Sequence, residues 1–496
     1  MVHSQEEKRS EPFRIAIIGG GIGGLFCALA IHHHHSSSLT LSSQTDGEGS
    51  GSGSNSSSNG DKANKSKRDI QINVYEQAPE YREIGAGVGV GINAARLLHR
   101  LGLGAGLVKV AGRRQGTWFT FRRFEDSGEV ISIPDADAEP GDVRQSPCAR
   151  SDLLELFLTA VRERGATKLH TEKACAGVSV IDDEDDNDGS GEKGKGKVEV
   201  RFRDGTSAIA DLVVGCDGVH SVVRDRFVTD ASNKSVESGM IAYRGIVPTS
   251  ALEKDWPFPH WSNIWVAKHR HFLSYPIADN TQLNIVAFVT KRLGGGRVIN
   301  EAESEQNKYK NIRESWSSLC DRGEVVADFA GFDEPVQRII GLMDGRPGRW
   351  KINDHEPLSR WHFAEGRVVL VGDAAHAMLP HMGAGAGQSI EDGWILGRVV
   401  SEYLTNNPQN SNWKKFESLE STMQFYQDVR LPRAQKVQAG SRVGGNLYEL
   451  QTEEMSKLSY EDALPVMAES LRERMKFVWS EDVDDSYNRM RDEQAV

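Results

Sequence analysis

Gly19, Gly21 and Gly24 stand in G-x-G-x-x-G spacing within "RIAIIGGGIGGLFCALAI", after a short apolar run and before a longer one. That spacing serves phosphate chemistry: one glycine turns the chain, one lets backbone approach a pyrophosphate, and one lets helix and strand pack. The helix that follows points its N-terminus at the anion. Glycine-rich turns are common, so the motif draws its weight from the strand and helix on either side. A dinucleotide site also needs a carboxylate for ribose hydroxyls at the end of the second strand. "DIQINVYEQA" supplies Glu76, 52 residues after Gly24, and a Ser/Gly/Asn-rich insertion at 34–68 accounts for the excess over the usual spacing. With no arginine beside it to take a 2′-phosphate, Glu76 suits the ribose of FAD or NAD.

A second element of this kind lies far downstream, in "RVVLVGDAAHAMLPHMGAGAGQSIEDG". An apolar strand ends at Gly372-Asp373, and Gly383, Gly385 and Gly387 lead into a helix predicted from about Ser389. Asp373 would stand beside a ribitol or pyrophosphate. Bare backbone at a helix N-terminus offers N–H groups to an anionic acceptor such as the N1/O2 edge of a reduced flavin. A nucleotide site assembled from both ends of the chain favours FAD.

The elements that must position these residues read as an α/β protein. A hairpin is predicted around Asp204-Gly205, after an acidic insertion at 181–197, and "MIAYRGIV", "SNIWVAKH", "HFLSYPI" and "LNIVAFVT" predict an antiparallel sheet within 238–290. From 387 onward the spacing is helical, including a charged stretch after 450. We expect a Rossmann-like FAD-binding domain in two parts, 12–232 and 355–405, a sheet-rich substrate domain at 233–354, and C-terminal helices at 406–496. The net charge of -12, without a Lys/Arg cluster, excludes nucleic acid and an anionic membrane as main partners and leaves a small molecule. Five scattered cysteines without C-x-x-C fit neither a disulfide framework nor a zinc site, and predict a reducing, cytoplasmic setting. Ile15 to Ile31 lacks charge but holds five glycines and is too short to span a bilayer.

Together "GGGIGG", "VVGCDGVHSVVR" and "VVLVGDAAHAMLPHMGAGAGQSIEDG" resemble the class A FAD-dependent aromatic monooxygenases, and most closely their salicylate hydroxylase-like branch in fungi and bacteria. "VYEQA", "EIGAGVGVGINAARLL", "AYRGIVP" and "HFLSYPI" fit that branch in order, over about residues 13–400. Cys216 departs from it, standing where a small residue such as Ala is more usual. The resemblance implies that Glu76 holds the adenosine ribose and that Gly89 belongs to the cofactor site. It places Arg150 of "PCARSDLL" at the FAD ribitol or pyrophosphate, Asp373 at the pyrophosphate and ribitol, and Gly385 and Ala386 against the isoalloxazine. Asp217 is similar to an aspartate linked to both FAD and NAD(P)H handling. NAD(P)H is expected to dock transiently, with no domain of its own.

The chemistry implied is reduction of FAD by NAD(P)H, reaction with O2 to a flavin C4a-hydroperoxide, and oxygen transfer to an electron-rich aromatic carbon. A phenolate reacts far better than a phenol, so the site needs a cation or donor to stabilise it. Arg244 of "AYRG" is the first candidate, because its fork of donors stays charged. Tyr275 of "LSYPI" is the second. Pro380 falls where the family brings a proline against flavin and substrate, and the nearby His376 and His381 are either general bases or backbone partners. His32 to His35 could suggest a metal, but four consecutive residues cannot all face one ion. Two other outcomes fit the same fold: a dearomatising or tailoring monooxygenase of secondary metabolism, and a binding protein that has lost redox chemistry. "WPFPHWSNIW" is not the Trp-x-Trp-x-Ile-Pro stretch of flavin halogenases.

Overall fold

The computed structural model describes residues 11–45, 69–81, 87–113, 116–181, 196–290, 292–293, 297–298, 318–405 and 416–493. The strand Phe13–Ile18 lies inside a six-stranded sheet, between parallel neighbours Ile70–Tyr75 and Leu212–Gly215. Lys168–His170 and Val368–Leu370 extend it in parallel on the two sides, and His362–Phe363 closes one edge antiparallel. The sheet therefore draws on both ends of the chain. A parallel strand covered on both faces reads as a continuous apolar run, and Ile15, Ala16, Ile17 and Ile18 are all buried.

Two helices cover this sheet and touch each other through glycine. The first helix, Ile22–Thr45, lies against the glycine-loop helix, Gly385–Thr405. A β-carbon on Gly393 would come within 3.1 Å of Cys27 Cα, and one on Gly397 within 2.7 Å of the Ala30 carbonyl carbon. The first helix also corrects an expectation: residues 34–45, expected to be a flexible part of the insertion, are helical. A helix already nucleated gains one hydrogen bond per residue added, so polar composition alone does not stop it. The imidazoles of His33 and His34 pack on Trp394, with ring centroids 5.7 and 4.4 Å away, and no metal-binding cluster occurs among the described residues. The rest of the first insertion, 46–68, and residues 182–195 of the second lie outside the described residues.

The expected hairpin forms from Val198–Phe202 and Ser207–Ala210, with Gly205 at φ +84° in the turn. A seven-stranded sheet forms the second layer, in the order Gly348–His355, Ser235–Pro248, Gln282–Thr290, Arg270–Ile277, Asn263–Ala267, Thr117–Arg123 and Glu129–Pro134. All four strands expected within 238–290 are present. The last two strands come from within 12–232, because Thr117–Arg123 pairs in parallel with Asn263–Ala267, a long-range contact with no local signature. Strand alternation gives this platform two faces. Tyr243, Ile285 and Phe272 face a core closed by the helices Arg322–Asp328 and Glu334–Leu342. Arg244, Val286, Leu273 and Tyr275 face the other way.

The long helix, Leu419–Tyr448, starts at a capping box made by Ser418 and Ser421 and runs between the two layers. Helices Tyr460–Leu471, Lys476–Ser480 and Val483–Glu493 follow, as the charged C-terminal pattern predicts. No helix among the described residues is long and apolar enough to cross a membrane. The helix contact at Gly397 generates a prediction. Gly397→Ala should lower folding stability by about 1–3 kcal/mol, the usual penalty for overpacking, and denaturant unfolding would read it; an unchanged midpoint would show that the helices separate freely.

Candidate active site

The three glycines of the first turn answer to three different constraints. Gly19 has φ +102°, and a β-carbon there would sit 2.3 Å from the Cys216 carbonyl oxygen. A β-carbon on Gly24 would sit 2.0 Å from the Gly19 oxygen, so helix and strand could not pack. Gly21 has nothing within 4 Å on that side and opens into a cavity of about 400 Å³ between the two layers. Glu76 stays beside the turn: its Oε2 accepts from the Gly20 N–H at 2.8 Å and its Oε1 from the Ala78 N–H at 2.9 Å.

The downstream element meets the same cavity. Gly372 has φ +63°, and a β-carbon there would lie 2.5 Å from Ser389 Oγ. Asp373 follows it, exposed, and lines the cavity. Pro380 opens a short turn that ends in Gly383 at φ +58°, and the next helix begins at Gly385, four residues earlier than the sequence pattern predicts. Gly385 and Ala386 thus form its first turn. Gly21, Gly218 and Gly383 all line the cavity with open space where a side chain would be, and two helix N-termini converge on it. Open backbone donors and positive helix ends are what a dinucleotide with an anionic flavin edge requires. The residues present fit FAD.

Opposite this cradle stands the platform sheet. Arg244 and Tyr275 both line the cavity from the two sides of the strand Gln282–Thr290, where they pair with Val286 and Asn284. The Arg244 guanidinium lies 4.1 Å from the Trp350 ring centroid, a cation–π contact. Burial pulls its pKa down to about 10, with Tyr275 opposing and Arg150 adding to the depression, so the group remains a cation at neutral pH. Arg150 begins the helix Arg150–Arg164 and also lines the cavity, as do Lys351 and Gly89. Gly87, two residues before Gly89, donates its N–H to Asn284 Oδ1 at 2.7 Å; a β-carbon there would lie 2.5 Å from the Tyr275 hydroxyl.

The two histidines of the downstream element go separate ways. His381 lines the cavity, with Nε2 3.2 Å from Met240 Sδ, and burial holds its pKa well below the ordinary value. His376 turns inward to Asp392, at 2.6 Å. Asp217 lies outside the cavity lining: its Oδ1 accepts from Ser221 Oγ at 2.5 Å and its Oδ2 from the Val223 N–H at 3.1 Å, at the start of the helix Val222–Phe227. Gly19, Gly24 and Glu76 are likewise beside the cavity and not on it.

Sequence reading missed two parts of the site. Met475, Val478 and Trp479 wall the cavity from the C-terminal segment, and Trp479 meets Trp118 edge to face at 5.5 Å. The other part is a cluster of buried charge under the glycine loop. Asp392 accepts from the Gly372 N–H at 2.9 Å and from Arg430 Nε at 2.9 Å. Glu391 accepts from Arg430 Nη1 at 2.6 Å, from Asn93 Nδ2 at 2.5 Å and from both Nε and Nη2 of Arg433 at 2.8 and 2.9 Å. Arg433 continues to the backbone oxygens of Phe477 and Val478, each at 3.0 Å. Its signal was an acidic pair inside the apolar run "SIEDGWILG", matched by "VRLPR" in the next helix.

Burial pushes both carboxyls of this cluster up, but Arg433 and Arg430 around Glu391, and His376 and Arg430 around Asp392, outweigh it; both end below their ordinary values of 4.5 and 3.8. Depressed carboxyl groups add stability that is complete above their unfolded values and is lost as pH falls through the folded ones. Stability should therefore drop steeply below the range 3.8–4.5. Arg430→Met, which leaves carboxylates buried without their partner, should cost about 3–5 kcal/mol at neutral pH; unfolding curves over pH measure both effects, and a variant as stable as the wild type would refute the cluster's structural role.

The FAD binding domain family matches residues 342–439 of the chain. A salicylate hydroxylase of Pseudomonas putida is 28% identical over 487 residues, covering 95% of this chain and 93% of that one. A 3-amino-4-hydroxybenzoate 2-monooxygenase of Streptomyces platensis is 30% identical over 444 residues, covering 88% and 89%. The solved structure of a salicylate hydroxylase substrate complex superposes with a TM-score of 0.69 at 26% identity, covering 98% of both chains. With the cradle, the cavity and this end-to-end similarity, the chain belongs to the class A FAD-dependent aromatic monooxygenases.

Proposed function

We propose that this FAD-dependent monooxygenase hydroxylates a phenolic or aromatic-acid substrate held in the cavity by Arg244 and Tyr275, with NAD(P)H and O2 as co-substrates. The observation that carries the reading is that Arg244 and Tyr275 face the cavity into which the bare backbone of Gly21 and Gly383 opens. Charge supports it as well. Among the described residues, Arg150, Arg244 and Lys351 line the cavity against one carboxylate, that of Asp373, so an aromatic anion is favoured there. Salicylate and 3-amino-4-hydroxybenzoate, the substrates named for two relatives, are both such anions.

Bound FAD supplies the redox and oxygen chemistry, and the chain positions the ring and excludes water. Glu76 anchors the adenosine end beside the first turn, and Asp373 takes the pyrophosphate and ribitol region. Arg150, which lines the same cavity, reaches the ribitol or pyrophosphate side. Gly89, Gly385, Ala386 and Pro380 bring bare or rigid backbone to the flavin edge. Arg244 holds the substrate oxygen as an anion, which raises electron density on the ring carbon to be attacked, and Tyr275 donates to the same oxygen or an adjacent one. Val286 and Leu273 make an apolar floor beside them, and Ile264 extends it on the next strand. Asp217 acts at one remove, by fixing the start of the helix that follows Gly218.

Two substitutions separate cofactor binding from substrate chemistry. Asp373→Ala should purify with much less flavin, measured as bound FAD per chain; full FAD content would remove Asp373 from the cofactor site. Arg244→Ala should keep its FAD yet lose about tenfold to hundredfold in hydroxylated product per unit time with salicylate or 3-amino-4-hydroxybenzoate, whichever the wild type converts, as expected for a charged hydrogen bond worth about 1.5–3 kcal/mol. Undiminished turnover would leave Arg244 with a packing role alone.

A further inference from the structure

Trp350 lines the cavity from the edge strand Gly348–His355 and has no part in the binding and oxygen chemistry assigned to the site so far. The register of the sheet brings it to Arg244. Ala242 lies directly across from Trp350 and Gly348 directly across from Arg244, so the indole and the guanidinium belong to diagonal neighbours on one face. Gly348 puts no side chain between them. A β-carbon there would already touch the benzene half of the indole, at 3.4 Å from Cζ3. The indole thus lies back beside this glycine, and Arg244 Cζ stands 4.1 Å from its ring centroid. On the other flank the cross-strand neighbour of Arg244 is Val286, which lines the same cavity. An aromatic side chain and an aliphatic one therefore border the guanidinium.

A guanidinium carries its five donors in its own plane, so a ring against its face takes none of them. The indole removes instead the water on that face and the freedom of a long side chain. Trp350 is half-buried, and its strand is the last of the platform sheet on that side, so the ring covers Arg244 at the sheet's edge. The aromatic quadrupole attracts the cation, more strongly for Trp than for Phe. Burial lowers Arg244 to about 10, with Tyr275 opposing and Arg150 adding to the depression, and leaves it charged at neutral pH. A cation partly stripped of water gains more from a bound anion than a hydrated one does.

We propose that Trp350 is a positioning residue that fixes the Arg244 guanidinium, shielded on one face, with its donor edge turned to the phenolate oxygen of the substrate. The proposal rests on the reading that Arg244 holds the substrate as an anion. Trp350 acts through Arg244 and not on the reacting atoms. A residue that only packed the sheet edge could be replaced about equally well by Phe or by Leu. A cation–π partner gives the order Trp, Phe, Leu, because Leu keeps an apolar side chain and loses the quadrupole altogether.

The test adds 5-nitrosalicylate to the FAD-loaded enzyme, without NAD(P)H, and reads phenolate absorbance over a pH series to obtain the phenol pKa of the bound probe. The wild type should hold it below that of the free probe. Trp350→Leu should raise it by about half a unit to one unit, a loss of about threefold to tenfold in preference for the phenolate, as for a partly desolvated cation–π contact. Trp350→Phe should fall between the two, and both variants should load FAD as the wild type does. In an Arg244→Ala background, Trp350→Leu should move the bound pKa no further. The proposal is overturned if Leu and Phe shift the pKa equally or not at all, or if Leu shifts it as much without Arg244 as with it. A wild type that binds the probe and leaves its pKa at the free value contradicts the phenolate reading itself, and shows this before any variant is made.

Discussion

Four buried charges hold the catalytic geometry together. Glu391 and Asp392 are in the glycine-loop helix, Arg430 and Arg433 in the long helix, and their side chains are sealed from solvent. Such a cluster gives little net stability over an apolar replacement, but losing one member is severe, because the remaining charges stay buried. What it provides here is direction. Asp392 holds the N–H of Gly372, one residue before Asp373, and Arg433 holds the backbone at Phe477 and Val478, where the cavity wall begins. The glycine loop and this wall of the cavity are thus tied to the same charges.

Around that cluster the site is defined by what the backbone leaves bare. Gly19 and Gly24 are glycines because neighbouring carbonyl groups occupy the space of a side chain, whereas Gly21 and Gly383 leave their space to the cavity. The platform sheet contributes the opposite character, a dense face of side chains in which Arg244 and Tyr275 stand around an apolar floor. On the proposed function, the donor-rich cradle holds the cofactor and the side-chain face opposite it holds the substrate.

Much of this could be read from the chain. The strand–glycine–helix pattern at Phe13 to Thr45, the Gly-Asp strand at 368–373 and four platform strands all leave local signatures, because each follows from periodicity or from turn chemistry. Arg244 and Tyr275 were named on two of those strands as the cation and the hydroxyl that a phenolate needs, and both line the cavity. What escaped was long-range. Thr117–Arg123 joins the platform by pairing with a strand more than a hundred residues away, Trp479 reaches the cavity from the last helices, and His271 meets Glu449 across 178 positions. Composition misled at 34–45, where a helix begun by apolar residues carries on through serines. The buried acidic pair had a signal, charge inside an apolar helix, but its partners could be named only in three dimensions.

The central claim is that the cavity between these layers carries one oxygen atom from O2 to an aromatic anion. The most direct measurement is the mass of the product formed under ¹⁸O₂ from FAD, NAD(P)H and whichever hydroxybenzoate accelerates cofactor oxidation. The account predicts one ¹⁸O atom in each product molecule. A product without the label, or consumption of O2 that yields peroxide alone with every hydroxybenzoate tried, would contradict it.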